Sequence, residues 1–102
     1  MTLEFLPAAE QELAEATSYY EEAESGLGVR FREDVESAVA AILLHPLLWR
    51  LRRGIYRRVN LPGFPYFIAY VLRGQSVRIV AVGHCARRPG YFRSRLRQPP
   101  AA

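Results

Sequence analysis

"VRIVAVGH", residues 77–84, decides how this chain folds. It carries β-branched and small apolar residues with no helical spacing. Strict alternation puts Val77, Ile79 and Ala81 on one face and Val80 and Val82 on the other. Both faces are therefore largely apolar, which is the signature of a central strand covered on two sides. His84 emerges at its end. Upstream, "RGQS" (73–76) supplies turn residues and joins this strand to another β-rich run, Tyr66 to Leu72. So short a connection implies an antiparallel hairpin. "PGFP" (62–65) in turn separates that hairpin from a third run, Ile55 to Leu61.

Further toward the N-terminus the period changes. Leu13, Ala16, Tyr20, Ala23 and Leu27 recur at spacings of three and four, while most of the intervening glutamates occupy other faces. The pattern predicts an amphipathic helix from Pro7 to about Ser25, with Pro7 in its first turn and Gly26 as a left-handed stop. A second helix is predicted over Leu27 to Leu44, with Phe31, Val35, Ala38 and Ile42 facing inward, ended by Pro46 after His45. His45 reads as a helix-end residue. "SGLG" is a tight link, so the two helices form an antiparallel hairpin. Thr2 to Leu6 is a short strand before them. The fold class is thus α+β, ordered β-α-α-β-β-β, with a helical hairpin packed on a mainly antiparallel sheet. At 102 residues and 50% apolar content, the chain suits one domain over residues 1–97, with "QPPAA" (98–102) as a disordered tail.

Charge is divided along the chain. All ten acidic residues lie within the first 36 positions, where only Arg30 and Arg32 oppose them, a net of −8. From Ser37 onward there are twelve arginines and no acid, a net of +12. The second half therefore presents a basic surface to something anionic, either nucleic acid or an acidic protein segment. Every basic residue is Arg, whose fork suits phosphate or carboxylate. No apolar run approaches the roughly 18–20 residues of a membrane span, and the start "MTLEFLPAAEQEL" lacks a basic segment followed by a hydrophobic one. The expected compartment is the cytoplasm, with no membrane partner. Cys85 stands alone, which excludes an intrachain disulfide and a multi-cysteine metal site.

The candidate chemistry gathers in "AVGHCARRPGYFRSR", residues 81–95. There is no Gly-rich phosphate loop, no paired-histidine metal spacing and no carboxylate in the basic half, so neither metal nor cofactor is expected. One chemistry needs only these residue types: metal-free phosphodiester cleavage at an RNA 2′-hydroxyl. It requires proton acceptance from the 2′-oxygen, neutralisation of the pentavalent phosphate and protonation of the 5′-oxygen. His84 and Tyr91 are the candidates for proton transfer, and Arg57, Arg58, Arg78, Arg87 and Arg88 for clamping phosphate. The same residues equally suit a docking surface.

The succession "FLPAAEQELAEA…YY", "GLG…F", "HP…W", "RRVNLPGFPYFIAY" and "VAVGH…RRPGYF…R" resembles the RelE/ParE superfamily of bacterial toxins, from about Leu3 to Arg95. The resemblance implies the toxin of a type II toxin–antitoxin module, neutralised by a cognate antitoxin whose acidic, amphipathic C-terminal segment wraps it. It also implies one of two targets. RelE-like members cleave mRNA on the ribosome, using lysines with arginines and a C-terminal tyrosine; ParE-like members poison DNA gyrase. This chain has no lysine and matches the RelE set only through Arg57, Arg58, Arg87 and Tyr91. "RR…FPY" and "H…RRP" look more like ParE-type plasmid-stabilisation proteins, so gyrase is the expected target, and the mRNA endonuclease and a non-toxic nucleic-acid-binding module are the alternatives. Arg57, Arg58 and Arg78 are the expected antitoxin contacts. His84, Arg87, Arg88 and Tyr91 are the catalytic set if the nuclease reading holds.

Overall fold

In the computed structural model, which describes residues 1–98, the stretch 76–84 is an interior strand with partners on both sides. The elements are β1 (Thr2–Phe5), α1 (Pro7–Ala23), α2 (Leu27–Leu44), β2 (Arg57–Asn60), β3 (Tyr66–Arg73), β4 (Ser76–His84) and a short 3₁₀ helix at Arg93–Arg97. The sheet order is β1-β4-β3-β2; β1 runs parallel to β4, and the other pairings are antiparallel. The α+β class and the β-α-α-β-β-β order thus stand as the sequence pattern gives them. Apart from Gln98, the expected tail lies outside the described residues. Among those described, no helix is long and apolar enough to cross a membrane.

Where the structure departs from simple periodicity, it does so for local reasons. β3 alternates cleanly: Ile68 and Tyr70 face the helices, and Phe67, Ala69 and Val71 face away. β4 does not, because Ala69 pairs with Ala81 while Tyr70 pairs with Ile79, leaving Val80 as an extra residue. A bulge of this kind sets two successive side chains on the same face. Val80 and Ala81 therefore both point away from the helices and Val82 points toward them, reversing the expected facing of Ala81 and Val82. The third strand is shorter than the predicted 55–61, since Ile55 and Tyr56 belong to a tight turn closed by an Arg52–Tyr56 bridge. α1 likewise stops at Ala23, which is exposed.

The helical hairpin closes over one sheet face. Phe31, Val35, Val39 and Ile42 of α2 meet Val59, Ile68, Tyr70, Val77, Ile79 and Val82 there. The helices approach closely at Gly28, where a Cβ would stand 2.5 Å from the Thr17 carbonyl oxygen. Rings of Tyr20, Phe31, Phe64 and Tyr66, with centroids 4.9–6.0 Å apart, pin the "PGFP" turn against the hairpin. The second sheet face is covered too. Phe92 and Leu96 fold back over Phe67, Ala69, Val71, Val80 and Ala81, so the arginine-rich C-terminal stretch is held as a third layer.

Candidate functional site

The site forms at the C-terminal end of β4, where His84, Arg87 and Tyr91 meet Arg58 of β2 and Glu12 of α1. Gly83 makes that meeting possible. A Cβ at residue 83 would lie 2.4 Å from the Tyr91 hydroxyl oxygen and 2.9 Å from Phe67 Cζ, so only glycine lets the tyrosine ring lie on the strand.

Glu12 is the hub. Its Oε1 accepts the Val82 backbone N–H at 3.0 Å and Arg95 Nη1 at 2.9 Å; its Oε2 accepts the Tyr91 hydroxyl at 2.7 Å and Arg95 Nη2 at 3.2 Å. Arg87 Nη1 stands 3.9 Å away as a looser ion pair. Burial is the main influence raising the Tyr91 pKa above the usual phenol value, with the hydrogen bond to Glu12 and the nearby carboxylate charge acting in the same direction. Burial opposes the charge of Arg95, but its bonds to Glu12 outweigh that and hold its pKa above the ordinary guanidinium value. The Tyr91 ring also carries Arg87, whose Cζ lies 3.9 Å from the ring centroid, and Arg95 at 5.3 Å.

Arg58 lies across the same end of the sheet. Its guanidinium sits 4.0 Å from the Phe67 ring centroid and donates to Asn60 Oδ1 at 3.0 Å and to Cys85 Sγ at 3.7 Å. His84 stacks edge-on against Tyr66 with centroids 5.1 Å apart. Its Nδ1 accepts the Ala86 backbone N–H at 2.9 Å. In the neutral ring that bond leaves the proton on Nε2, the nitrogen not engaged by the chain. Between β4 and α1 runs an open groove of ≈ 260 Å³ lined by Glu12, Glu15, Tyr19, Tyr66, His84 and Arg87.

The sequence-derived candidates divide into two groups. Arg58, His84, Arg87 and Tyr91 come together at this edge, with exposed Arg88 on the adjoining turn. Arg57 faces the helical side instead, where its Nε donates to the Trp49 carbonyl at 2.9 Å. Arg78, expected to face a phosphate or an antitoxin, is only 2% exposed; it pairs with Glu4 at 2.9 Å and also donates to the Gln98 carbonyl. That arginine serves the interior, and its burial keeps it from a partner's reach. The residues that pattern reading missed are Glu12 and Arg95. Glu12 has a signal in hindsight: it lies three residues after Ala9 and four before Ala16, both buried, and so shares the inner face of α1. The basic half contains no acid of its own, and α1 supplies one.

Comparison with known proteins agrees with this architecture. A family described as the ParE toxin of type II toxin–antitoxin systems, parDE, matches residues 3–89. A protein of the chromosomal ParDE toxin–antitoxin system of P. aeruginosa superposes with a TM-score of 0.69 at 16% identity, covering 82% of this chain and 95% of that one. The isolated E. coli RelE toxin superposes with a TM-score of 0.64 at 18% identity, covering 91% of this chain and 93% of that one. No curated protein sequence matches significantly. Identities this low carry the fold alone, but the family match spans most of the chain from β1 to the turn after β4, and the chain belongs to the ParE toxin family of type II toxin–antitoxin systems.

Proposed function

We propose that this chain is a toxin that arrests growth in the cytoplasm by binding and poisoning DNA gyrase, and that a cognate antitoxin neutralises it. The observation that carries the reading is the state of its two proton-transfer candidates. Tyr91 gives its hydroxyl proton to Glu12 and is pushed away from ionisation, and Nδ1 of His84 is taken by the Ala86 N–H. A general base needs an unprotonated atom aimed at its substrate. As these two side chains are held, neither presents one. What the edge does offer is a rigid platform of Arg58, Arg87 and Arg88 around Tyr91 and Phe67, the arginine and aromatic composition favoured at protein-binding hot spots. The antitoxin has a separate place to seat an apolar helix face: a groove of ≈ 370 Å³ beside edge strand β1, lined by Leu3, Phe5, Leu13, Val35, Val39 and Leu43. Carboxylates on the rest of the antitoxin's segment, continuing across the sheet to the far edge strand β2, then meet Arg57 or Arg58 according to the face they cross.

The mRNA-endonuclease reading keeps one observation in its favour, the convergence of Arg58, His84, Arg87 and Tyr91 on one edge of a fold shared with RelE. Two parallel assays separate the readings: gyrase-dependent DNA cleavage complexes, and mRNA cuts on translating ribosomes, each with antitoxin-free wild type and His84→Ala. A docking toxin traps gyrase, and His84→Ala leaves that trapping nearly intact, because binding energy is shared among several residues. Removal of Arg87, Arg88 and Tyr91 together abolishes it. Ribosome-dependent cuts that fall about 10² to 10⁴-fold in His84→Ala, with no gyrase effect, overturn the proposal.

A further inference from the structure

The third layer of the molecule carries a second basic site, separate from the edge at His84. A concave space of ≈ 470 Å³ opens between the turn at Arg53 and the 3₁₀ helix, lined by Arg53, Ile55, Arg93, Ser94, Leu96 and Arg97. No acid is among them. Arg53, Arg93 and Arg97 are all exposed. The ion pairs found among the described residues occupy Arg78, Arg87 and Arg95 and leave these three without a carboxylate. Apolar Ile55 and buried Leu96 form the floor.

Arg53 is placed there at a cost. Its φ of 52° and that of Gly54 at 68° make it the first central residue of a tight turn in which the Ile55 N–H bonds to the Arg52 carbonyl at 3.0 Å. Such turns favour Asn-Gly at their centre, because a long side chain is strained in the left-handed region. The one non-glycine residue held at positive φ among those described is thus an arginine aimed at an arginine-lined groove.

The structure assigns this groove to the phosphodiester backbone of single-stranded nucleic acid. Three guanidinium forks with no carboxylate partner among the described residues, around an acid-free hollow, match successive phosphates, and the Ile55–Leu96 floor accepts the apolar face of a sugar or base. The space has the dimensions of a small-ligand pocket, so one strand fits within it and a duplex does not. Recognition is of charge rather than sequence, since Ser94 is the only uncharged polar side chain in the lining. The assignment stands whether the toxin's target is gyrase or the ribosome.

The test is fluorescence anisotropy with a labelled mixed-sequence DNA oligonucleotide over a range of salt concentrations, using the full chain freed of antitoxin. Wild type binds the single strand, and Arg53→Asn/Arg93→Gln/Arg97→Gln lowers affinity about tenfold or more and flattens the log–log salt slope by about 2, from three phosphate contacts at roughly 0.7 each. Arg30→Gln, on α2, is the charge control and leaves both nearly unchanged. The single variant Arg53→Asn separates binding from folding: it weakens binding while its melting temperature holds or rises, because asparagine is easier in that backbone conformation. An unchanged slope in the triple variant overturns the assignment, as does tighter binding of the same sequence as a duplex. Displacement of the oligonucleotide by polyglutamate at matched charge reassigns the groove to an acidic polypeptide and also overturns it.

Discussion

Tyr91 shows how a residue that looks reactive becomes structural. Its hydroxyl is one of four donors that converge on the Glu12 carboxylate, so the charge on Glu12 is matched by Arg95 and solvated by fixed N–H and O–H groups. Tyr91→Phe removes one donor and leaves the others, and should cost about 1–2 kcal/mol in urea unfolding. Glu12→Ala is different in kind. It strands Arg95, whose side chain is 19% exposed, together with the Tyr91 hydroxyl and the Val82 N–H, and should cost about 3 kcal/mol. A Glu12→Ala loss no larger than that of Tyr91→Phe would remove Glu12 from its place as the hub. The raised Tyr91 pKa also fixes a sign. A group whose folded pKa exceeds its unfolded value contributes stability below about pH 10, lost as the pH rises toward the folded value. In an alkaline absorbance titration Tyr91 therefore ionises above the usual phenol range, and Glu12→Gln lowers its midpoint only in part, because burial, the larger cause, remains.

At the scale of elements, the helical hairpin is joined by a carboxylate rather than by a conventional cap. No side chain of Gly26 is available at the start of α2, and Glu21, in the last turns of α1, takes that place: its Oε2 accepts the Gly26 N–H at 2.8 Å and its Oε1 the Gly28 N–H at 2.9 Å. The Gly26 bond is the main reason its pKa is lowered; burial opposes it, and the N–H groups of Gly28 and Val29 add to the lowering. A depressed carboxylate pKa gives stability that is present above the unfolded value, about 4.3, and lost as the pH falls through the folded one. Glu21→Gln should then lower the melting temperature at pH 7 and flatten its acid limb. An acid limb as steep as wild type would show that the two N–H groups are served by water instead. The bulge in β4 works on the same scale. By placing Val80 and Ala81 together on the second face, it widens the surface on which Phe92 and Leu96 seat the C-terminal layer.

Across the whole molecule, the split in charge along the sequence becomes a split between layers. The helices carry eight of the ten acids and only two arginines, while β2, the turn after β4 and the C-terminal layer carry seven arginines and no acid. Such a field steers an acidic partner toward the arginine-bearing side, an effect on association rate that salt screens. Arg57→Glu/Arg58→Glu should slow antitoxin association about tenfold or more at low ionic strength, and the difference from wild type should shrink at high salt. Stopped-flow rates insensitive to both the reversal and the salt would sink the proposed polarity of the interface. Because Arg57 and Arg58 emerge on opposite faces of the sheet, the single reversals also report which face the antitoxin's charged segment crosses.

The sequence by itself determined the element order, the central place of β4, the helical hairpin, the division of charge and the resemblance to the RelE/ParE toxins. These rest on local regularities, a period of 3.6 or of 2 and the chemistry of turns, which neighbouring residues carry among themselves. Tertiary structure alone decided that Glu12 leaves the acidic half to bind Tyr91 and Arg95, 79 and 83 positions away, and that Arg78 is buried on Glu4, 74 positions away. It also decided that Arg57 and Arg58 part company, and that Val80 slips out of register. Each outcome depends on which backbone lies opposite which side chain once the sheet is paired and covered. A buried carboxylate or guanidinium must find its counter-charge in that packing wherever along the chain the counter-charge happens to lie.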